Sequence, residues 1–124
     1  MDAAAVAELF APVVAVRTRR MFGGLGIYAG EAMFALAFDG EIFLKTTDTT
    51  RPEFAAAGSE PFRYMARSRE RELGCWRLPA AAFDDEQVLH RFTELALAAA
   101  HEAALKKHAR SLRRPSPRPG SRPR

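Results

Sequence analysis

Residues 19–30 read RRMFGGLGIYAG, with glycine at 23, 24, 26 and 30 directly after a pair of arginines. Two readings compete for this stretch. A phosphate-cradling loop would need its glycines to open a helix, whose N-terminal amides bind the anion. A β-strand would use glycine to bend sharply or to let another backbone come close. The residues after the glycines decide between them. Residues 32–38 (AMFALAF) are apolar, Asp39-Gly40 comes next, and 41–45 (EIFLK) return. Asp-Gly between two apolar runs predicts a tight hairpin, because both central residues take positive φ. No helix pattern succeeds the glycines, and no Gly-Lys-Ser/Thr triplet occurs in the chain. The stretch therefore reads as strand, with a bulge at the glycines. Residues 14–45 are expected to form a three-stranded antiparallel meander, its first turn at Ala29-Gly30 and its second at Asp39-Gly40.

Outward from the meander, Asp2 can cap a short helix over 3–11, which Pro12 ends. Thr50 and Glu53 fit a capping box for a two-turn helix at 51–57, with Gly58 suited to its left-handed end. PFRYMA and LGCWRLP predict a second hairpin, joined through a charged connection at 67–72. A final helix starts at Asp84 or Asp85. On it Val88, Phe92, Leu95, Ala99 and Ala103 share one face. The order is helix, three strands, helix, two strands, helix. It predicts an α+β domain of two layers, helices on an antiparallel sheet of about five strands.

Of the 19 Lys/Arg, eight lie in residues 106–124, which contain no acid; the other 11 face 15 Asp/Glu, so a body of charge −4 carries a segment of +8. The expected organisation is a folded domain at 1–105 and a basic, proline-rich disordered tail at 106–124. Lys106, Lys107, Arg110, Arg113, Arg114, Arg118, Arg122 and Arg124 are the candidate nucleic-acid contacts. Such a run neutralises phosphate, but without interleaved aromatics it offers no base stacking. Arg17, Arg19 and Arg20 form a smaller basic group on the first strand.

No catalytic constellation is readable, and no cofactor is expected. His90, His101 and His108 lie on one helix stripe, but about 16 Å and 10 Å apart along the axis, too far to share a metal. The single cysteine, Cys75, permits no internal disulfide and reads as a small core residue. Asp84, Asp85 and Glu86 read as helix-start acids. One cysteine, a poor signal sequence and no long apolar run point to a cytoplasmic protein that meets no membrane. Residues 32–38 are apolar on both faces, with Phe34, Leu36 and Phe38 expected on one and Met33, Ala35 and Ala37 on the other. A second copy covering the spare face is the expectation drawn from that.

RRMFGGLGIYAGEAMFALAFDGEIFLKT, then FAAAGSEPFRYMA, then CWRLPAAAFDD before an alanine-rich helix, resembles the N-terminal domain of the TfoX (Sxy) family. Arg20, Met21, Phe22, Gly23 and Gly24 carry the most specific part of the match, which spans about residues 5–105 without the family's helical C-terminal domain. The resemblance implies a two-layer α+β domain. It also implies a regulator of the competence type, in which full-length members assist the cyclic-AMP receptor protein at promoters. A protein partner in the transcription machinery is implied by it as well. The rival expectation is a small-ligand protein or enzyme that uses the Gly23–Gly26 hairpin.

Overall fold

The computed structural model describes residues 1–21, 23–66 and 69–113, with the backbone alone at 64–66, 69–73 and 113. The elements are α1 (Ala3–Phe10), β1 (Arg17–Met21), β2 (Gly24–Ala29), β3 (Ala32–Phe38), β4 (Glu41–Lys45), α2 (Arg51–Ala56), β5 (Pro61–Ala66), β6 (Arg69–Arg77), a 3-10 turn (Ala80–Phe83) and α3 (Glu86–Arg113). One six-stranded sheet runs in the order β1-β2-β3-β4-β6-β5, and every pairing is antiparallel. This is the expected α+β architecture with one strand more than the meander predicted. The segment leading into the glycines is not one strand. It doubles back between Met21 and Gly24, which sit opposite each other.

The local chemistry explains most of the boundaries. Asp2 accepts a hydrogen bond from the Ala5 amide at 2.9 Å and starts α1. Asp39 and Gly40 take φ of 53° and 79°, which turns β3 into β4 as expected. The Asp85 carboxylate accepts from the Gln87 amide at 2.9 Å and begins α3. The capping box at α2 does not form. Thr50 makes no side-chain cap; its hydroxyl instead accepts from the Thr47 amide at 2.9 Å. Glu53 turns away to Arg91 of α3, taking its Nε and Nη2 hydrogens at 2.7 Å each. A bidentate guanidinium partner outcompetes a backbone amide for a carboxylate. That hydrogen-bonded arginine holds the Glu53 carboxyl below its usual range.

The main core lies between the sheet and the helices. Val6 and Phe10 of α1, Phe54 of α2 and Leu89, Phe92, Ala96 and Ala100 of α3 meet Ile27, Ala35, Ala37, Ile42 and Leu44. Phe34 joins them and meets Phe10 edge-on at 5.2 Å. This corrects the expected division of β3. Ile27 sits opposite Ala35 but Tyr28 sits opposite Met33, so Phe34 is an extra residue and the strand bulges there. A bulge puts consecutive side chains on one side and reverses the alternation beyond it. Phe34, Ala35 and Ala37 therefore face the helices, while Leu36 and Phe38 belong to the far side.

That far side is not left open. Leu36, Phe43, Phe62 and Cys75 form a second, smaller core, with Met21 and Phe38 against it. Phe62 of β5 supplies the cover, its ring 4.6 Å from Phe43 and 5.4 Å from Phe38. The two apolar faces of β3 are both satisfied within the chain.

On α3 the buried stripe is Leu89, Phe92, Thr93, Ala96, Ala99 and Ala100. Relative to the expected face, it is rotated toward Leu89 and Thr93, and Ala103 is exposed. Alanine gives a helical wheel little contrast, and Thr93 reads as an outward residue although it is wholly buried. Among the described residues its hydroxyl has no hydrogen-bond partner. A buried hydroxyl without a partner costs about 1–3 kcal/mol. Thr93→Val keeps the shape and removes that cost, so it should raise unfolding stability by about 1 kcal/mol in a urea titration.

Candidate functional site

The glycine hairpin is set by geometry at three of its positions. Gly23 turns β1 into β2 with φ of 78°. A Cβ on Gly24 would lie 2.1 Å from the Ala37 carbonyl oxygen. One on Gly26 would meet the Met21 methyl at 2.9 Å and the Met33 sulfur at 3.0 Å. The glycines thus let β2 run close against β3 and let two methionines cross over the strand. The bulge of this hairpin falls at Phe34, not at a glycine. Phe22 of the motif lies outside the described residues.

A recess of about 660 Å³ opens beside the hairpin, between Gly23, Gly24, Arg20 and the start of α1. Its charged side chains are Arg20 and Asp2, and the Asp2 carboxylate is already used as the α1 cap. Among the described residues no histidine, cysteine or hydroxyl side chain lines it. They therefore assemble no nucleophile–base pair there. Of the strand arginines, Arg17 is committed: its guanidinium lies 4.9 Å from the Tyr28 ring centre, and its Nε donates to the Gly30 carbonyl at 3.2 Å. Arg19 and Arg20 are exposed.

A second recess of about 280 Å³ is walled by Phe38, Phe43 and Phe62. Arg77 fills much of its chemistry. It pairs with Glu41 at 2.6 Å and lies 5.8 Å from the Phe43 ring centre.

The remaining candidates separate. Cys75 is buried in the smaller core, and that burial pushes its thiol up, only partly offset by the Lys45 charge. A thiol held protonated among phenylalanines is a packing group. His101 and His108 are exposed or nearly so on α3, and His90 is half-buried. Among the described residues no group of three or more His, Cys, Asp or Glu could hold a metal, and no helix is long and apolar enough to cross a membrane.

The basic segment begins as helix. α3 continues unbroken to Arg113, so residues 106–113 are not part of an extended tail. Lys106, Lys107 and Arg110 are all exposed there. With His101, Glu102, Ala103, Ala104 and Leu105 they belong to a length of helix that none of the described core residues covers. The side chain of Arg113, and Arg114, Arg118, Arg122 and Arg124 entirely, lie outside the described residues. Sequence reasoning places these cations together, and the structure sets the first of them on a continuous helix. The signal is there: no proline or glycine occurs between 80 and 114.

Comparison with known proteins adds one finding. The family model described as TfoX N-terminal domain matches residues 8–100. The match begins within α1 and ends where the buried stripe of α3 ends. No curated protein matches the chain.

Proposed function

Because the chain belongs to the TfoX N-terminal domain family, we propose that it is a small regulatory adaptor that works by contact with a protein partner of the transcription machinery, and that its basic C-terminal segment anchors it to nucleic acid without sequence preference. The observation that carries the reading is the placement of Lys106, Lys107 and Arg110 on an exposed helix end, continuous with four further arginines beyond Arg113 and free of any acid. Positive charge of that density releases counterions from a phosphate backbone. With no aromatic interleaved it offers no base stacking, which leaves phosphate neutralisation as its main contribution. The adaptor needs no catalytic group.

Fluorescence anisotropy with a mixed-sequence DNA duplex tests it. The full chain should bind with an affinity that falls steeply with salt. Replacing Lys106, Lys107 and Arg110 by glutamine should weaken binding on every duplex sequence alike. It should also reduce the slope of log affinity against log salt by about 0.9 for each phosphate no longer neutralised. An affinity indifferent to these three substitutions removes the anchor.

The recess beside the glycine hairpin supports a second reading, a small anionic ligand held by Arg20. A ligand-dependent rise in melting temperature that Arg20→Ala abolishes would favour it over the adaptor.

A further inference from the structure

β1 is the outermost strand of the sheet and pairs only with β2. Met21 and Gly24 stand opposite each other across a two-residue turn, and such a turn closes on a hydrogen-bonded pair. Bonded and non-bonded pairs then alternate along an antiparallel ladder. Met21, Arg19 and Arg17 therefore direct their amides and carbonyls to β2, while those of Thr18 and Arg20 point outward. Among the described residues no backbone group reaches them. Unpaired donors and acceptors on an edge strand are a template for one more strand.

Side chains alternate along the same strand. Met21 packs on the smaller core, so Arg19 shares its face of the sheet. Arg20 takes the other face and lines the recess at the start of α1. Both arginines are exposed, and among the described residues neither has an ion-pair or hydrogen-bond partner. Residues 17–21 hold three arginines and no acid, on a body whose net charge is −4. The edge is a cationic strip on an acidic domain. It disfavours a second copy of itself, because antiparallel β1–β1 pairing brings the arginines of both copies together, and like charges across strands destabilise the pair. A phosphodiester chain would meet the arginines but has no row of N–H groups for the outward carbonyls.

We propose that β1 takes an extended acidic peptide of a protein partner as an additional strand, recognised by two consecutive carboxylate side chains. Main-chain hydrogen bonds to Thr18 and Arg20 hold the peptide, and the arginines select its sequence. The two acids are consecutive because Arg19 and Arg20 are. Neighbours on an added strand point to opposite faces, which sets one carboxylate on each guanidinium. The recess beside Arg20 leaves room for the acid on the helix side. That the partner is a protein rests on the adaptor reading; the site itself uses none of the cations of α3.

Fluorescence anisotropy on the full chain tests it, with a labelled synthetic peptide that carries Glu-Glu in a Val/Thr-rich frame. The peptide should bind, and Arg19→Glu with Arg20→Glu should weaken it roughly tenfold or more without moving the melting temperature. A Lys-Lys peptide should show the reverse preference and bind the charge-reversed variant more tightly than the unsubstituted chain. Peptides N-methylated at alternate residues separate strand addition from charge alone. Methyls in one phase should abolish binding, and methyls in the other should be tolerated. Thr18→Pro, which deletes an outward amide at a position an edge strand permits, should weaken binding as well. Replacing Lys106, Lys107 and Arg110 by glutamine should leave peptide binding intact, so loss of the DNA anchor and loss of this site are read separately. Failure of the Glu-Glu peptide to bind at millimolar concentration overturns the proposal. So does binding indifferent to the arginine reversal, or binding that survives both methylation phases, which reduces the contact to charge. An arginine reversal that weakens duplex DNA binding while the peptide stays unbound also overturns it and gives the strip to nucleic acid.

Discussion

Gly24→Ala should destabilise the domain by about 3 kcal/mol or more, placing it among the costliest single substitutions this chain can suffer. The reason is not conformational. Gly24 does not have a positive φ, so alanine suits its backbone. The obstacle is the Ala37 carbonyl, whose oxygen would stand 2.1 Å and whose carbon 3.2 Å from the new methyl. Both are main-chain atoms of a central strand, held between β2 and β4 by ladder hydrogen bonds. Neither can swing aside as a side chain can. The sheet must shift or break. Gly26→Ala is the internal control. Its methyl would meet the Met21 and Met33 side chains at 2.9–3.0 Å, and methionine is the most adaptable of apolar groups. Urea titrations of both variants should show Gly24→Ala costing at least twice what Gly26→Ala costs. Equal losses would mean that the close approach of β2 and β3 is relieved some other way.

Phe54→Ala should cost about 3–5 kcal/mol, the usual range for emptying a buried phenylalanine site. Phe54 is wholly buried and is the one buried residue α2 contributes. Its ring meets Phe92 edge-on at 4.9 Å and lies 6.5 Å from Trp76, so it joins α3 to β6. α2 has six residues, too few to persist without tertiary support. With Phe54 gone, the Glu53–Arg91 pair would have to hold it, and that pair is at the surface, where water screens it. Calorimetry should show a lowered melting temperature, and the fluorescence of Trp76, the sole tryptophan, should change with it. A loss below about 1 kcal/mol would mean that the core closes over the vacated site.

Much of this fold is legible in the sequence because it rests on local chemistry. Asp2 and Asp85 cap helices because a short carboxylate suits that position whatever surrounds it. Asp39-Gly40 turns a hairpin because few pairs accept two positive φ values in succession. The expectations that fail depend on partners distant in sequence. The Thr50–Glu53 box looks complete until Arg91, 38 positions away from Glu53, offers the carboxylate a better bond. The β1–β2 turn escapes notice because only Gly23 of its pair signals a turn. Phe34 cannot be assigned to a side of the sheet, since a bulge has no signature within its own strand. The Arg-Met-Phe-Gly-Gly stretch carries the resemblance to the family, yet Gly23 serves a turn and Gly24 a close strand approach. Of the candidate interface, the charges are plain, and the lack of proline and glycine between residues 80 and 114 lets the last helix run beneath the first of them.

The strand order has a further consequence, for how the chain acquires its shape. Within residues 17–45 each strand pairs with its immediate neighbour in sequence, so this part can zip together early at small entropic cost. β5 cannot join the sheet directly, because β6 lies between it and β4; the two must arrive as a hairpin. The surface that buries Ile27, Ala35, Ile42 and Leu44 then waits for α3, the last described element to leave the ribosome. A nascent chain stalled before residue 86 therefore presents a finished meander with its greasy side bare, which is the state a chaperone would have to recognise.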